Sequence, residues 1–161
     1  MNWLPALAAL TVIALESTAT MSSENTSQWL LPFWIKFFGP VSPARWKEIH
    51  FLIRKSGHFV GYGLLSLALY RGWRTTLRNS PRYTVWYHRL HAGWYALFWT
   101  LVVATADEYH QSFLSSRTSS PYDVCLDVCG ALTAHLMLFV VLRFLWPQPF
   151  FRSGPSRSEW A

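Results

Sequence analysis

Long apolar runs alternate with short polar or basic stretches along the chain. Each of four runs is near the length of about 20 residues that crosses a bilayer as a helix. The predicted spans are Trp3 to about Ala19, Ile49 or Phe51 to Trp73, about Ala92 to Phe113, and Tyr122 to Leu145. The pattern therefore predicts an all-α, polytopic membrane protein with four transmembrane helices in a bundle.

The first run is open to a second interpretation as a cleaved signal peptide. A signal peptide carries basic residues before its apolar part, whereas no Lys or Arg precedes Trp3, and Glu16 interrupts the end of the run. We therefore expect a first transmembrane helix here.

A short aromatic segment lies between the first two spans. Trp29 to Phe38 is too short to cross a bilayer, and Gly39, Pro40 and Pro43 interrupt it. We expect residues 29–50 to form one or two interfacial or re-entrant pieces.

The end of the fourth run marks a boundary in the chain. Pro147 and Pro149 are predicted to stop the helix. Residues 1–146 are then one membrane domain, and residues 147–161 are a flexible cytoplasmic tail.

Composition supports the membrane assignment. Charged residues make up only 14% of the chain and hydrophobic residues 52%, whereas soluble domains carry about 25% charged residues. The net charge is +6, but no nucleic-acid recognition motif accompanies it, so we expect the bilayer and not nucleic acid as the partner. The sequence identifies no cofactor and no oligomeric state.

Arginines predict the orientation in the membrane. The connection between the second and third spans contains five arginines and no acid. Basic connections stay in the cytoplasm, so both termini are predicted to be cytoplasmic in the cell membrane. The first connection also carries Lys and Arg residues, some of which we assign to a site.

This orientation brings ionisable residues from all four spans to the outer end of the bundle. Ionisable groups at membrane depth are costly and normally face the bundle interior. The residues concerned are Glu16, Lys55, His58, Asp107, Glu108, His110, Gln111, Asp123 and Asp127.

Spacing within the spans predicts which side chains share a face. Lys55, His58 and Tyr62 are three and four residues apart, and Asp107, His110 and Gln111 repeat that spacing. Glu108 is expected at the side of its helix face, paired with Gln111. Lys55 and Arg117 are the expected counter-ions of the four acids.

Four interpretations of this cluster remain open at the sequence level. It is a structural polar cluster, a ligand pocket, an acid–base site or a metal site. For catalysis, His110 would be the general base with Asp107 or Glu108 beside it. A metal site would draw on His58, His110 and the same acids, and we expect none.

Two stretches resemble the VanZ-like family of membrane proteins. Lys55-Ser-Gly-His-Phe-Val-Gly-Tyr62 is similar to a Lys-x-x-His-Phe-x-x-Tyr element of that family. Asp107-Glu-Tyr-His-Gln-Ser-Phe113, with Arg117 and Asp123 following, is similar to its second element. The chain departs from the family at Ser115 and Ser116, where Pro and Gly are common, and at Asp127, where Asn is common.

The resemblance implies a fold and a cellular setting. It implies an integral membrane protein of the bacterial cell envelope. Because motif residues from separate helices converge, our leading hypothesis is that this protein binds an envelope lipid or a wall precursor, or modulates a partner, through an outward-facing pocket. The family is named after a protein associated with low-level teicoplanin resistance, but its members share no known activity. The ligand-binding residues expected here are Glu16, Lys55, His58, Tyr62, Gln111, Arg117, Asp123 and Asp127.

Overall fold

A computed structural model describes residues 2–78, 85–115, 117 and 119–145. The described part is all-helical and contains no strand. It comprises α1 Leu4–Glu16, a 3₁₀ turn Ala19–Met21, α2 Ser23–Phe38, α3 Pro43–Arg78, α4 Val85–Gln111 and α5 Pro121–Leu145. The predicted tail, residues 147–161, lies outside the described residues.

The first helix is shorter than the span predicted from its sequence. α1 ends at Glu16, and the amide of Ser17 donates the last bond back to the carbonyl of Ile13. Thirteen residues rise about 20 Å, whereas the hydrocarbon core of a bilayer is about 30 Å thick.

The predicted interfacial segment belongs to two helices. The hydroxyl of Ser22 caps α2 by accepting a hydrogen bond from the amide of Asn25 at 3.3 Å. α2 ends at Phe38, and the following residue, Gly39, has a φ of 88°. The amide of Arg45 donates to the hydroxyl of Ser42, and Pro43 is the first residue of α3. Residues 43–50 are therefore the first turns of a 36-residue helix and not a separate piece.

The last two helices differ in how closely they follow their predicted bounds. α5 begins at Pro121, one residue before the predicted start. α4 begins at Val85, several residues before the expected Ala92. Three of the arginines assigned to the connection, Arg71, Arg74 and Arg78, lie in the last turns of α3; Arg82 and Pro81 lie outside the described residues.

α3 is the central helix and packs against α1, α4 and α5. α1 runs antiparallel to it, because Trp3 lies on Gly72 and donates from Nε1 to the hydroxyl of Thr76 at 3.3 Å. The end of α1, the first half of α3, the end of α4 and the start of α5 meet at the opposite end of the bundle.

A glycine contact brings α3 and α5 together. A Cβ atom on Gly130 would lie 2.1 Å from the carbonyl oxygen of Phe59, and one on Gly63 would lie 3.1 Å from the carbonyl oxygen of Gly130. Gly57 and Gly61 face open space. Of the three glycines in this part of α3, Gly63 therefore permits the close approach of α5.

One helix in the described part is long and apolar enough to cross a membrane. Residues Pro121–Phe144 of α5 have a mean hydropathy of 2.1. A single such helix is also found in soluble proteins and in signal sequences, so α5 alone is weak evidence for a membrane protein.

We expect Gly130→Ala to destabilise the protein. The added methyl group would clash with the backbone carbonyl of Phe59, which cannot move aside as a flexible side chain could. Overpacking of this kind costs about 1–3 kcal/mol. Thermal unfolding of purified protein in detergent would measure it as a lower midpoint. Gly93→Ala is the matched control, since that glycine is helical and a Cβ there meets nothing within 4 Å. Equal midpoints for the two variants would contradict the close contact.

Candidate functional site

Two charged pairs join α3 to α5 at the end of the bundle where four helices meet. Lys55 Nζ forms an ion pair with Asp123 Oδ1, as expected from the sequence. One turn further along both helices, His58 Nδ1 lies 3.4 Å from Asp127 Oδ1. That distance suits an ion pair, but neither oxygen of Asp127 has a hydrogen-bond partner. Asp127 is completely buried.

The third contact joins α3 to α4. The hydroxyl of Tyr62 donates a hydrogen bond to Asp107 Oδ2 at 2.8 Å. Both side chains are buried, and Asp107 Oδ1 has no partner. The motif residues of the two helices are therefore in direct contact.

Glu108 holds the segment that leads into α5. Its Oε2 accepts a hydrogen bond from the backbone amide of Ser120 at 2.9 Å, and its Oε1 has no partner. The side chain is only 4% exposed, so Glu108 lies inside the cluster and not at the side of the helix face.

Arg117 joins the same segment to the end of α1. Its Nη2 donates to the backbone carbonyl oxygen of Glu16 and to that of Thr18, the latter at 3.1 Å. Burial lowers the pKa of this guanidinium, and Arg54 lowers it further, while nearby carboxylates raise it. Arg117 was expected to pair with an acid; its hydrogen bonds go to backbone carbonyls instead.

A small cavity lies beside the contact between Tyr62 and Asp107. Its volume is about 10 Å³, which is room for about one water molecule. Pockets for drug-sized ligands measure roughly 300–1,000 Å³. The lining residues are Ile13, Glu16, Gly57, His58, Gly61, Tyr62, Asp107 and Gln111. The cavity therefore admits one small polar group and not a whole ligand.

Several buried polar atoms of the cluster lack a hydrogen-bond partner. Within the described residues these are Asp107 Oδ1, Glu108 Oε1, both carboxylate oxygens of Asp127, His58 Nδ1 and Arg117 Nε. Four of the six are carboxylate oxygens, which accept hydrogen bonds when ionised. An unpaired buried polar atom costs about 1–3 kcal/mol. The cluster is therefore short of donors.

His110 does not join the cluster. Its side chain is exposed and is not among the residues that line the cavity. On α4, Asp107, Glu108 and Gln111 are the buried residues of the last turns. Asp107 contacts Tyr62 and not His110, so the assignment of His110 as a general base stays a prediction without support from the geometry.

No metal centre is formed by the described residues. Among them, no three His, Cys, Asp or Glu side chains are placed to hold one ion. The chemistry that the described cluster offers is therefore hydrogen bonding and ion pairing.

Sequence reasoning missed the backbone partners in the site. The amide of Ser120 and the carbonyls of Glu16 and Thr18 hold Glu108 and Arg117 in place. Every residue has an amide or carbonyl of this kind, so no residue type marks those positions. The role of Gly57 and Gly61 in lining the cavity was also missed, although the open space beside a glycine is a signal that a sequence does carry.

Comparison with known proteins gives a family match. A family model described as VanZ/LLP1 matches residues 3–143, and this confirms the resemblance drawn from the two motifs. No match to a curated protein or to a solved structure was found.

We expect Tyr62→Phe to lower the free energy of unfolding by about 1–3 kcal/mol. The change leaves both oxygens of the buried Asp107 carboxylate without a donor. Chemical or thermal unfolding in detergent would measure the loss. Tyr109→Phe removes a hydroxyl from an exposed ring of the same helix and serves as the control. A Tyr62→Phe protein as stable as this control would show that the hydrogen bond contributes nothing.

Proposed function

The chain belongs to the VanZ/LLP1 family, and on that premise we propose that it is a four-span protein of the cell membrane that binds an envelope lipid or wall precursor. The proposed site is the cluster around the small cavity. The observation that carries the proposal is the buried Oδ1 of Asp107, which has no donor and belongs to a residue that lines the cavity.

Exposed apolar side chains support the membrane setting. Leu4 and Leu7 of α1 are 61% and 59% exposed, and Phe139 of α5 is 64% exposed. α3 and α4 expose large apolar side chains in the same way. Monomeric soluble proteins rarely leave extended apolar surface facing water, whereas lipid covers it. α1 is short for a span, and a short helix is accommodated by local thinning of the bilayer.

In the orientation predicted from the arginines, the cluster faces the outside of the cell. The arginines of the last turns of α3 belong to the cytoplasmic side, and the cluster is at the opposite end of the same helix. Exposed aromatic rings near the cluster suit the outer interface of the bilayer. These are Tyr109, Phe113 and Tyr122.

Cavity size and the shortage of donors together limit the ligand. The space admits a group no larger than a water molecule, and the unpaired Oδ1 of Asp107, a residue that lines the cavity, favours a group that donates a hydrogen bond. A primary ammonium or a hydroxyl meets both conditions. The remainder of the headgroup would then lie on the surface of the protein among the ends of the helices.

Topology can be measured by cysteine labelling in intact cells. In a Cys125→Ser, Cys129→Ser background, we expect Ser115→Cys to react with a membrane-impermeant maleimide from outside. Arg78→Cys should react only after the cells are permeabilised, because it lies at the end of α3 away from the cluster. The reverse pattern would place the cluster in the cytoplasm and overturn the proposed site.

The ligand class can be tested with lipids that differ in donors. We expect protein released from mixed nanodiscs to retain phosphatidylethanolamine about tenfold over phosphatidylcholine, whose trimethylated nitrogen has no N–H. A second mixture replaces the ethanolamine lipid with a polyprenyl-linked wall precursor. Native mass spectrometry would measure the bound lipid in each case. If the protein retains phosphatidylethanolamine preferentially, the hydrogen-bond donor comes from a membrane lipid. If it retains the polyprenyl-linked molecule preferentially, the donor comes from a wall precursor.

Asp107→Asn is the variant that tests the site. It keeps an acceptor for Tyr62 but removes the charge beside the cavity, so we expect the preference to fall to about one. Glu24→Gln removes a charge from an exposed position of α2 and should leave the preference unchanged. If neither lipid is preferred by the unaltered protein, ligand binding fails and the cluster is structural.

A further inference from the structure

A second recess lies at the other end of the bundle, between α3 and α5. Its volume is about 320 Å³, which is within the range of ligand-binding pockets. Three arginines and three leucines stand out in its lining: Arg71, Arg74, Arg78, Leu67, Leu138 and Leu142. We call this recess the arginine groove.

The three arginines lie on one face of α3. Their spacings of three and four residues place them side by side. All three are exposed, and no ion pair within the described residues involves any of them. The sequence from Arg71 to His91 contains no acid. Positive charges this close repel one another unless an anion lies among them.

Leucines form the other part of the groove. Leu67 lies one turn before Arg71 on α3, and Leu138 and Leu142 are on adjacent turns of α5. A free anion such as phosphate gains nothing from leucine side chains. A molecule with an anionic head and an apolar chain fits both parts of the lining.

The position of the groove points to the source of that molecule. It is at the end of the bundle that the basic connection assigns to the cytoplasmic leaflet, where anionic lipids attract Lys and Arg at about 1 kcal/mol for each residue. Basic pockets between membrane helices at this depth suit phosphate headgroups.

We propose that the arginine groove binds one anionic phospholipid of the cytoplasmic leaflet. The headgroup phosphate lies among Arg71, Arg74 and Arg78, and an acyl chain lies over Leu67, Leu138 and Leu142. The inference rests on the membrane placement in the proposed function, but it does not depend on the outer cluster or on its ligand.

The test uses full-length protein with Asp107→Asn, so that the outer cluster does not select for the hydroxyls of phosphatidylglycerol, in nanodiscs of equal phosphatidylglycerol and phosphatidylcholine. After release into mild detergent, we expect native mass spectrometry to find phosphatidylglycerol bound about tenfold more often than phosphatidylcholine. For Arg71→Gln/Arg74→Gln we expect a ratio below about two. Arg89→Gln/Arg143→Gln removes the same charge from helical positions outside the groove and should keep the tenfold ratio.

Two results would overturn the proposal. An equal loss in both double variants would show general attraction of lipid to net charge. Displacement of the lipid by millimolar glycerol 1-phosphate as effectively as by phosphatidylglycerol would show that the apolar lining contributes nothing. Thermal unfolding of each variant establishes that it is folded.

The same variants separate this inference from the proposed function. Arg71→Gln/Arg74→Gln leaves the outer cluster intact, so its selectivity for donor-bearing lipids should persist even if phosphatidylglycerol is lost. Asp107→Asn should have the opposite effect. Labelling of Ser115→Cys reports the membrane placement on which both depend.

Discussion

The contact between α3 and α5 at Gly63 and Gly130 is the constraint on which the other contacts depend. The two helices run parallel, and no side chain separates their backbones at this point. Toward the start of both helices, this brings His58 to Asp127 and Lys55 to Asp123. Toward their ends, the hydroxyl of Ser66 lies 3.0 Å from His135 Nε2. A wider separation would take every one of these polar groups out of reach of its partner.

Burial of acids follows from that contact and from the position of α4. Asp127 is fully buried with the imidazole of His58 beside it, and Asp107 accepts a hydrogen bond from one tyrosine hydroxyl. Buried ion pairs with incomplete hydrogen bonding contribute little to stability. Within the described residues, the hydrogen bonds of the cluster therefore satisfy its buried acids only in part.

The sequence predicts helices well where apolar runs are uninterrupted. α5 is such a run, and its bounds agree with the prediction within one residue. The sequence of α3 is not an uninterrupted apolar run, because the charged residues Lys47, Glu48 and Arg54 lie in its first turns. The cap at Ser42 and the proline after it start the helix earlier than hydropathy indicates. For α1 the prediction is too long and not too short, since the predicted span continues to about Ala19 whereas the helix ends at Glu16.

Residue spacing predicts which residues belong to the site better than it predicts which way their side chains point. It placed Lys55, His58 and Tyr62 on one face, and the structure brings each to an acid. On α4 the positions three and four residues apart allow two faces, one with His110 and one with Glu108. Only the packing of α3 and α5 decides between them, and a single sequence does not contain that packing.

Continuity of α3 links the two ends of the molecule mechanically. Its 36 residues form one rod of about 54 Å, with the acid cluster near its start and the arginine groove near its end. A rigid element transmits displacement along its axis. In the proposed membrane placement, a shift of α3 at the cluster would move Arg71 and Arg74 relative to the leaflet, and a lipid bound in the arginine groove would resist that shift.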